Sequence, residues 1–343
     1  MDILGIPVTI VSGFLGSGKT TLINQVLAAS NVPKEEIIII ENEFGETGID
    51  HELLLHTKEQ VLQLNNGCMC CSLRGDLINT LESIEDVTRE WRITVSQIII
   101  ETTGIADPQP IIQTLLTAPT LHNRYYIDSI LTVVDTHHIM DYLKEPLIMK
   151  QIAIADRMFL SVKEEADKER LPEIGRLLYS INPLADQLEF YKDQAIKATE
   201  FFNLNKFQAP VLIEEEHTEH AEEHHHDDHG HEHHEHEHHH DHDDTHGFQS
   251  LLLETDKVLN KALLVRWLDW LVFSNQERLY RFKGMVTLKD QELAMALQGV
   301  NQQINFQLTT LPAGMTKIVL IGKELNVGKI ERTFERLCTA SNQ

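Results

Sequence analysis

The stretch Gly13-Phe14-Leu15-Gly16-Ser17-Gly18-Lys19-Thr20 constrains this chain more than any other. It matches G-x-x-x-x-G-K-[ST] and lies between an apolar run, Val8 to Val11, and an amphipathic stretch that begins at Lys19. In that context glycines let a strand-to-helix loop close tightly enough for its backbone N–H groups to converge on phosphate oxygens, with the positive end of a helix dipole behind them. Gly13, Gly16, Ser17 and Gly18 supply the cradle. Lys19 is expected to reach the β- and γ-phosphates, the Thr20 hydroxyl to ligate Mg²⁺, and Thr21 to complete the nucleotide-binding set.

A loop of this kind belongs at the carboxyl edge of a parallel sheet, and the first two hundred residues read that way. Short β-branched runs alternate with longer amphipathic stretches, which predicts an α/β fold with a mostly parallel sheet flanked by helices. Strands are expected at 8–11, 37–40, 98–100, 130–134, 158–161 and 211–213, several of them apolar on consecutive residues, as strands buried on both faces must be. Helices are expected from Lys19, from near Arg74, after Asp107-Pro108 and from near Lys168. The strand that ends at Ile100 leads into Glu101-Thr102-Thr103-Gly104. An acid at that strand end stands over the nucleotide crevice, so Glu101 is expected to hold the Mg²⁺ shell and the Gly104 N–H to meet the γ-phosphate.

A second kind of chemistry is concentrated in Cys68-Met69-Cys70-Cys71, which follows the turn residues Asn65-Asn66-Gly67. Three thiolates within four residues suit Zn²⁺, Cu⁺ or another thiophilic ion, and tetrahedral zinc takes a fourth ligand from elsewhere. Glu41, Glu43 and Glu46 are the nearest candidates. From Glu214 to His246 the composition changes abruptly, with fifteen of the twenty histidines, fourteen carboxylates and no Lys or Arg. Such a segment cannot bury enough apolar surface to offset its ordering entropy, so a disordered linker is expected. Its imidazoles, His224, His225 and His226 among them, would collect metal with high capacity and low affinity. Globular patterning resumes at Phe248, with a helix expected over 257–274 and strands near 279–288 and 317–321. The organisation read from these shifts is 1–213, a linker over 214–247, and a smaller α+β unit over 248–343.

The formal charge of −24 argues against nucleic-acid or anionic-membrane partners. The N-terminus lacks a basic stretch followed by an apolar one, and no apolar run approaches the ~20 residues of a membrane span, so a cytoplasmic protein is expected. Four cysteines are too few for a disulfide framework at this length, which leaves reduced thiolates available to metal.

Taken together these motifs resemble the CobW-type family of metal-trafficking P-loop GTPases, and within it the YjiA-like members. The resemblance is carried by Gly13 to Thr21, by Glu41-Asn42-Glu43-Phe44-Gly45-Glu46, by Gly67 to Cys71 and by Glu101 to Pro108. Leu131-Thr132-Val133-Val134-Asp135 and Arg281-Phe282-Lys283-Gly284-Met285 extend it over nearly the whole chain. It implies a P-loop GTPase domain followed by a CobW-type C-terminal domain, working with GTP, Mg²⁺ and Zn²⁺, with Co²⁺ or Ni²⁺ as alternatives. It implies Cys68, Cys70 and Cys71 as metal thiolates, Glu41 and Glu46 as carboxylate ligands, and His122 as a surface ligand. A client metalloprotein would receive the metal, and the chain would be a monomer or a metal-dependent homo-oligomer with slow intrinsic GTP turnover. The alternatives are a passive metal-storage protein and a cobalt-handling accessory of cofactor synthesis.

One departure stands out. Where the family carries its guanine-reading Asn/Thr-Lys-x-Asp, this chain has Ser161-Val162-Lys163-Glu164. In that register Glu164 accepts from the guanine edge from one methylene further out, and Val162 packs on the base without supplying the lysine charge, which implies relaxed base preference or slower exchange. A shifted register would use Lys163 and Asp167 instead.

Overall fold

Runs that are apolar on consecutive residues are satisfied only in a sheet covered on both faces. In the computed structural model, which describes residues 5–42, 60–63, 72–121, 123–208, 247–300 and 302–343, such runs make the central layer of the first half. The strands are β1 (Ile6–Gly13), β2 (Ile37–Asn42), β3 (Gln60–Gln63), β4 (Gln97–Thr102), β5 (Tyr125–Asp135), β6 (Arg157–Val162) and β7 (Asp186–Tyr191). They lie in the order β3-β2-β4-β1-β5-β6-β7, and every pairing is parallel.

The crossovers carry α1 (Lys19–Ala29), α2 (Ser72–Trp91), α3 (Gln109–Thr117), a short α4 (Ile139–Tyr142), α5 (Pro146–Ile154) and α6 (Glu165–Ile181). Strand alternation sorts the core into two layers. Val8, Ile40 and Ile98 face Leu77, Leu81 and Ile112 of α2 and α3, while Val11, Ile39 and Ile99 face Leu22 and Val26 of α1.

The strand over 211–213 lies outside the described residues. Among the described residues the sheet's last strand is β7, whose half-polar Asp-Gln-Leu-Glu-Phe-Tyr pattern suits an edge. The helix expected from near Lys168 starts at Glu165, because Glu164 and Asp167 form a reciprocal capping box.

The second unit is a five-stranded antiparallel sheet, β11-β10-β9-β12-β8. It comprises β8 (Phe248–Thr255), α7 (Lys261–Ser274), β9 (Leu279–Val286), β10 (Leu293–Val300), β11 (Gln303–Pro312), β12 (Thr316–Lys323) and α8 (Val327–Ser341). α7 begins four residues later than expected because the Asn260 side chain accepts from Leu263 N at 3.2 Å and so fixes the helix start. α7 and α8 cover one face, where Leu264, Leu268 and Phe334 meet Phe282 and Leu320.

The other face packs on the first unit. Phe248, Val319 and Ile321 join Ile148 and Ile152 of α5 and Ile174 and Leu178 of α6 in one apolar cluster. A charged cluster lies beside it, fully enclosed. Arg281 and Lys283, two apart on β9 and therefore on one face, both donate to Asp156 Oδ1, Lys283 at 2.8 Å. Arg281 also donates to Ile154 O, Lys283 to Lys206 O at 2.6 Å, and Ile130 N to Asp156 Oδ2 at 2.9 Å. Among the described residues no helix is long and apolar enough to cross a membrane.

Candidate nucleotide site

β1 is the pivot of the first sheet. The chain continues to β2 on one side of it and comes back to β5 on the other, which opens a crevice at the carboxyl ends where such sheets bind ligands. The loop after β1 fills that position. Gly13 has φ 138°, and a Cβ there would lie 2.4 Å from Val133 O, so only glycine lets the loop leave β1 against β5. Ser17 N donates to Phe14 O at 3.1 Å and Leu22 N to Gly18 O at 2.9 Å, which closes the loop and starts α1. The N-terminus of α1 then points into a cavity of about 710 Å³.

The cavity gathers Gly16, Gly18, Lys19, Thr20, Thr21, Glu41, Glu101 and Gly104, residues drawn from three separate stretches of sequence. Lys19 Nζ donates to the carbonyl oxygens of Gly13 and Phe14 at 3.0 and 3.1 Å. Burial lowers its pKa, opposed by the charge of Glu101. Thr20 Oγ1 donates to Glu101 Oε1 at 2.9 Å. Glu41 is the register partner of Glu101 on the neighbouring strand, which sets two carboxylates side by side at the cavity wall. Gly104 is pressed onto the loop: a Cβ there would lie 2.2 Å from Leu15 N. The hydroxyl of Ser17 is buried without a hydrogen-bond partner.

The stretch Ser161-Val162-Lys163-Glu164 runs from the end of β6 to the start of α6. Lys163, not Val162, reaches the phosphate loop, donating to Gly16 O at 3.0 Å and to Asp135 Oδ2 at 2.7 Å. Val162 is buried, as its place at the end of β6 demands. Glu164 is occupied as the N-cap of α6. Asp167 is buried and accepts from Lys163 N at 3.2 Å, Glu164 N at 3.0 Å and the His137 ring at 3.0 Å, so its oxygens are already committed. Glu165 is thus the acid two residues beyond the lysine, with 85% of its side chain exposed at the start of α6. Ser161 lies beneath the loop, its Oγ 3.4 Å from where a Gly18 Cβ would be.

Asp135 is a member of this site that motif reading left without a role. Burial pushes its carboxyl up, but hydrogen bonds from Lys163 and His138 outweigh burial and hold it below the usual range. The available signal was its place as the first charged residue after a long apolar strand, the same signal that singled out Glu101.

Of the sequence-predicted metal ligands only Glu41 is described. Cys68, Cys70, Cys71, Glu46, His122, His224, His225 and His226 lie outside the described residues. The described cysteine, Cys338, is buried in α8, far along the chain from the cavity. Among the described residues no three His, Cys, Asp or Glu side chains form a metal-binding group.

An all-parallel sheet with this loop at its switch point, backed by a lysine, a threonine and a strand-end acid, defines a P-loop nucleotide-binding protein. Residues 7–189 match the CobW/HypB/UreG nucleotide-binding domain, and residues 248–338 match the cobalamin synthesis protein cobW C-terminal domain. The chain belongs to the CobW family. It is 30% identical to the zinc chaperone YjiA of Escherichia coli (strain K12), over 97% of this chain and 98% of that one. It is 32% identical to zinc-regulated GTPase metalloprotein activator 1 of Schizosaccharomyces pombe, over 59% of this chain and 50% of that one. The crystal structure of Zn(II)-bound YjiA GTPase from E. coli superposes with a TM-score of 0.73 at 25% identity, covering 97% and 99% of the two chains.

Proposed function

We propose that this protein is a GTP-hydrolysing metallochaperone that binds zinc and hands it to a client metalloprotein. Its relatives include a zinc chaperone, matched over 97% of this chain, and a zinc-regulated GTPase metalloprotein activator, matched over 59% of it. The observation that carries the reading is the place of Glu41. It lies near the end of β2 at the wall of the nucleotide cavity, beside Glu101, and its register partner on the other side is Gln63, the last residue of β3, five positions before Cys68 in a sequence that goes on to Cys70 and Cys71. A cysteine segment rooted at the γ-phosphate edge of a nucleotide site is suited to having its metal affinity set by the nucleotide.

Lys19 exchanges its loop carbonyl partners for phosphate oxygens, and the loop N–H groups of Gly16 to Thr20 hold the β-phosphate. Thr20 and Glu101 offer the hard oxygen donors that Mg²⁺ prefers, and they already meet at 2.9 Å. When bound, that ion neutralises charge on the β- and γ-oxygens. Gly104 N–H, set on the loop by its contact with Leu15, meets the γ-phosphate. The Lys163 stem lies along the base, with Glu165 facing its edge. Zinc is the cargo, held by Cys68, Cys70 and Cys71 with Glu41, and the histidine tract gathers it.

The test is a titration of Zn²⁺ into the protein in GTP-analogue, GDP and nucleotide-free states, with a Cys70→Ala variant alongside. Affinity that changes with the nucleotide, and loses that dependence in the variant, is the expected result. Equal affinities in all three states would leave a storage protein on a nucleotide-binding scaffold.

A further inference from the structure

The segment that bears Gly104 ends in a contact that the nucleotide site does not require. After Gly104 the chain turns, with Ala106 N donating to Thr103 O at 3.0 Å, and two neighbouring residues of α5 then hold it. Gln151 Nε2, fully buried, donates to Ala106 O at 3.1 Å. Lys150 Nζ meets Asp107 Oδ2 at 2.5 Å, while Asp107 Oδ1 accepts from Gln109 N at 2.9 Å and fixes the start of α3.

Lys150 also faces the second unit. Its ammonium lies 5.8 Å from the ring centroid of Tyr280 on β9, and Tyr280 stacks on Phe248 of β8 at 5.3 Å with the planes 12° apart. The carboxyl end of the same helix is held by the next residue of β9, through Arg281 to Ile154 O and to Asp156. α5 is therefore held by the C-terminal domain at its middle and at its carboxyl end, and the same middle residue, Lys150, with Gln151 beside it, grips the phosphate-facing turn.

We propose that Lys150 is a positioning residue for GTP hydrolysis, which sets Gly104 against the γ-phosphate through Asp107 and takes its own position from Tyr280 of the C-terminal domain. The proposal rests on the reading of the cavity as the nucleotide site. A surface ion pair would contribute little and could be deleted silently. Lys150–Asp107 differs because both partners are partly buried, with 21% and 33% of their side chains exposed, and because each has a second fixed partner. Gly104 has no room to adjust independently, given its contact with Leu15, so a shift at Asp107 reaches the γ-phosphate position rather than dissipating in a loop.

The test uses Lys150→Met, Lys150→Arg, Asp107→Asn and Tyr280→Leu in the full chain, measuring kcat and KM for GTP, affinity for GDP and thermal stability. Lys150→Met and Asp107→Asn are each expected to lower kcat about ten-fold with GDP affinity held within about two-fold, and the double variant to be no worse than either alone. Lys150→Arg restores most of the loss. Tyr280→Leu lowers kcat about three-fold from the other domain. An unchanged kcat in Lys150→Met, or GDP affinity and stability falling in step with kcat, overturns the proposal. Should Lys150→Met fail to fold, Tyr280→Leu and Asp107→Asn decide the matter by the same readouts. A Lys19→Ala variant that binds nucleotide as tightly as the wild type would instead sink the underlying reading of the cavity, which keeps the two failures distinct.

Discussion

Two buried lysines set the two halves of this protein apart. Lys19, at the nucleotide cavity, gives its hydrogen bonds to the main-chain carbonyl oxygens of Gly13 and Phe14. Lys283, between the units, gives its hydrogen bonds to Asp156 and Lys206 O, with the Arg281 guanidinium sharing the same carboxylate. Burial pushes the pKa of both down, Lys283 to about 8 against the pull of Asp156. Lys19 keeps a charge that a phosphate can claim, since its carbonyl partners are neutral and replaceable. Lys283 has its countercharge built in and is available for nothing else. What separates a binding lysine from a structural one here is whether the protein already supplies the anion.

Four substitutions sharpen that contrast. The largest effect is expected from Asp156→Ala, which strands two buried cations and should cost about 3–5 kcal/mol of stability, read from denaturant midpoints. GTP affinity of the fraction that still folds should be unaltered. Next, Lys19→Ala should weaken GTP binding about a hundred-fold, the scale of two charge-assisted hydrogen bonds at ~1.5 kcal/mol each, and leave stability almost unchanged. If instead Lys19→Ala destabilised the fold and Asp156→Ala abolished nucleotide binding, the division of labour drawn between the two lysines would be reversed.

A smaller effect is a pH dependence. Lys283 has a folded pKa of about 8, below the ordinary 10.5, so between those values the unfolded chain binds the extra proton. Stability therefore rises with pH across that window, and the cost of enclosing the charged ammonium is fully present below pH 8. Measured as wild type minus Lys283→Met, which cancels other titrations, the stability difference should climb by at most ~1.4 kcal/mol per pH unit from 8 towards 10.5 and stay flat below. A flat difference throughout would mean that Asp156 holds the ammonium charged. Smallest of all, Asp135→Asn removes the carboxylate that steadies Lys163 over the loop. Because Lys163 is 39% exposed, about a three-fold loss of GTP affinity is expected, detectable by calorimetry.

The two regions were also unequally legible. The phosphate loop is contiguous, so Gly13 to Thr20 and their partner Glu101 could be read from spacing and from strand-end position. The interdomain cluster is assembled from Asp156 and residues 125 and 127 positions later, and no local pattern links them. The sequence did carry a trace: Arg281 and Lys283 stand two apart in an otherwise apolar strand, which puts two charges on one face of a sheet. α5 was missed for a related reason, since Leu-Ile-Met-Lys-Gln-Ile-Ala-Ile is apolar nearly all round and shows little helical periodicity.

The base-reading stretch divides in the same way. Its residue types were plain, but its register depended on where β6 ends and on which acids cap α6. Glu164 and Asp167 bind backbone N–H groups of the helix start, and Lys163 is the residue between them and β6 that reaches the phosphate loop.

By itself the sequence determined what short-range physics can dictate: the loop that only glycines can close, the strands that must be buried on both faces, and the enrichment of thiolates and imidazoles that suits a soft metal. Tertiary structure alone decided which charges are available and which are neutralised, where the lysine over the loop lies, and that the second unit holds α5 at its middle and its carboxyl end. Those outcomes depend on distances between residues far apart in the chain, and electrostatic and packing energies are set by such distances rather than by residue type.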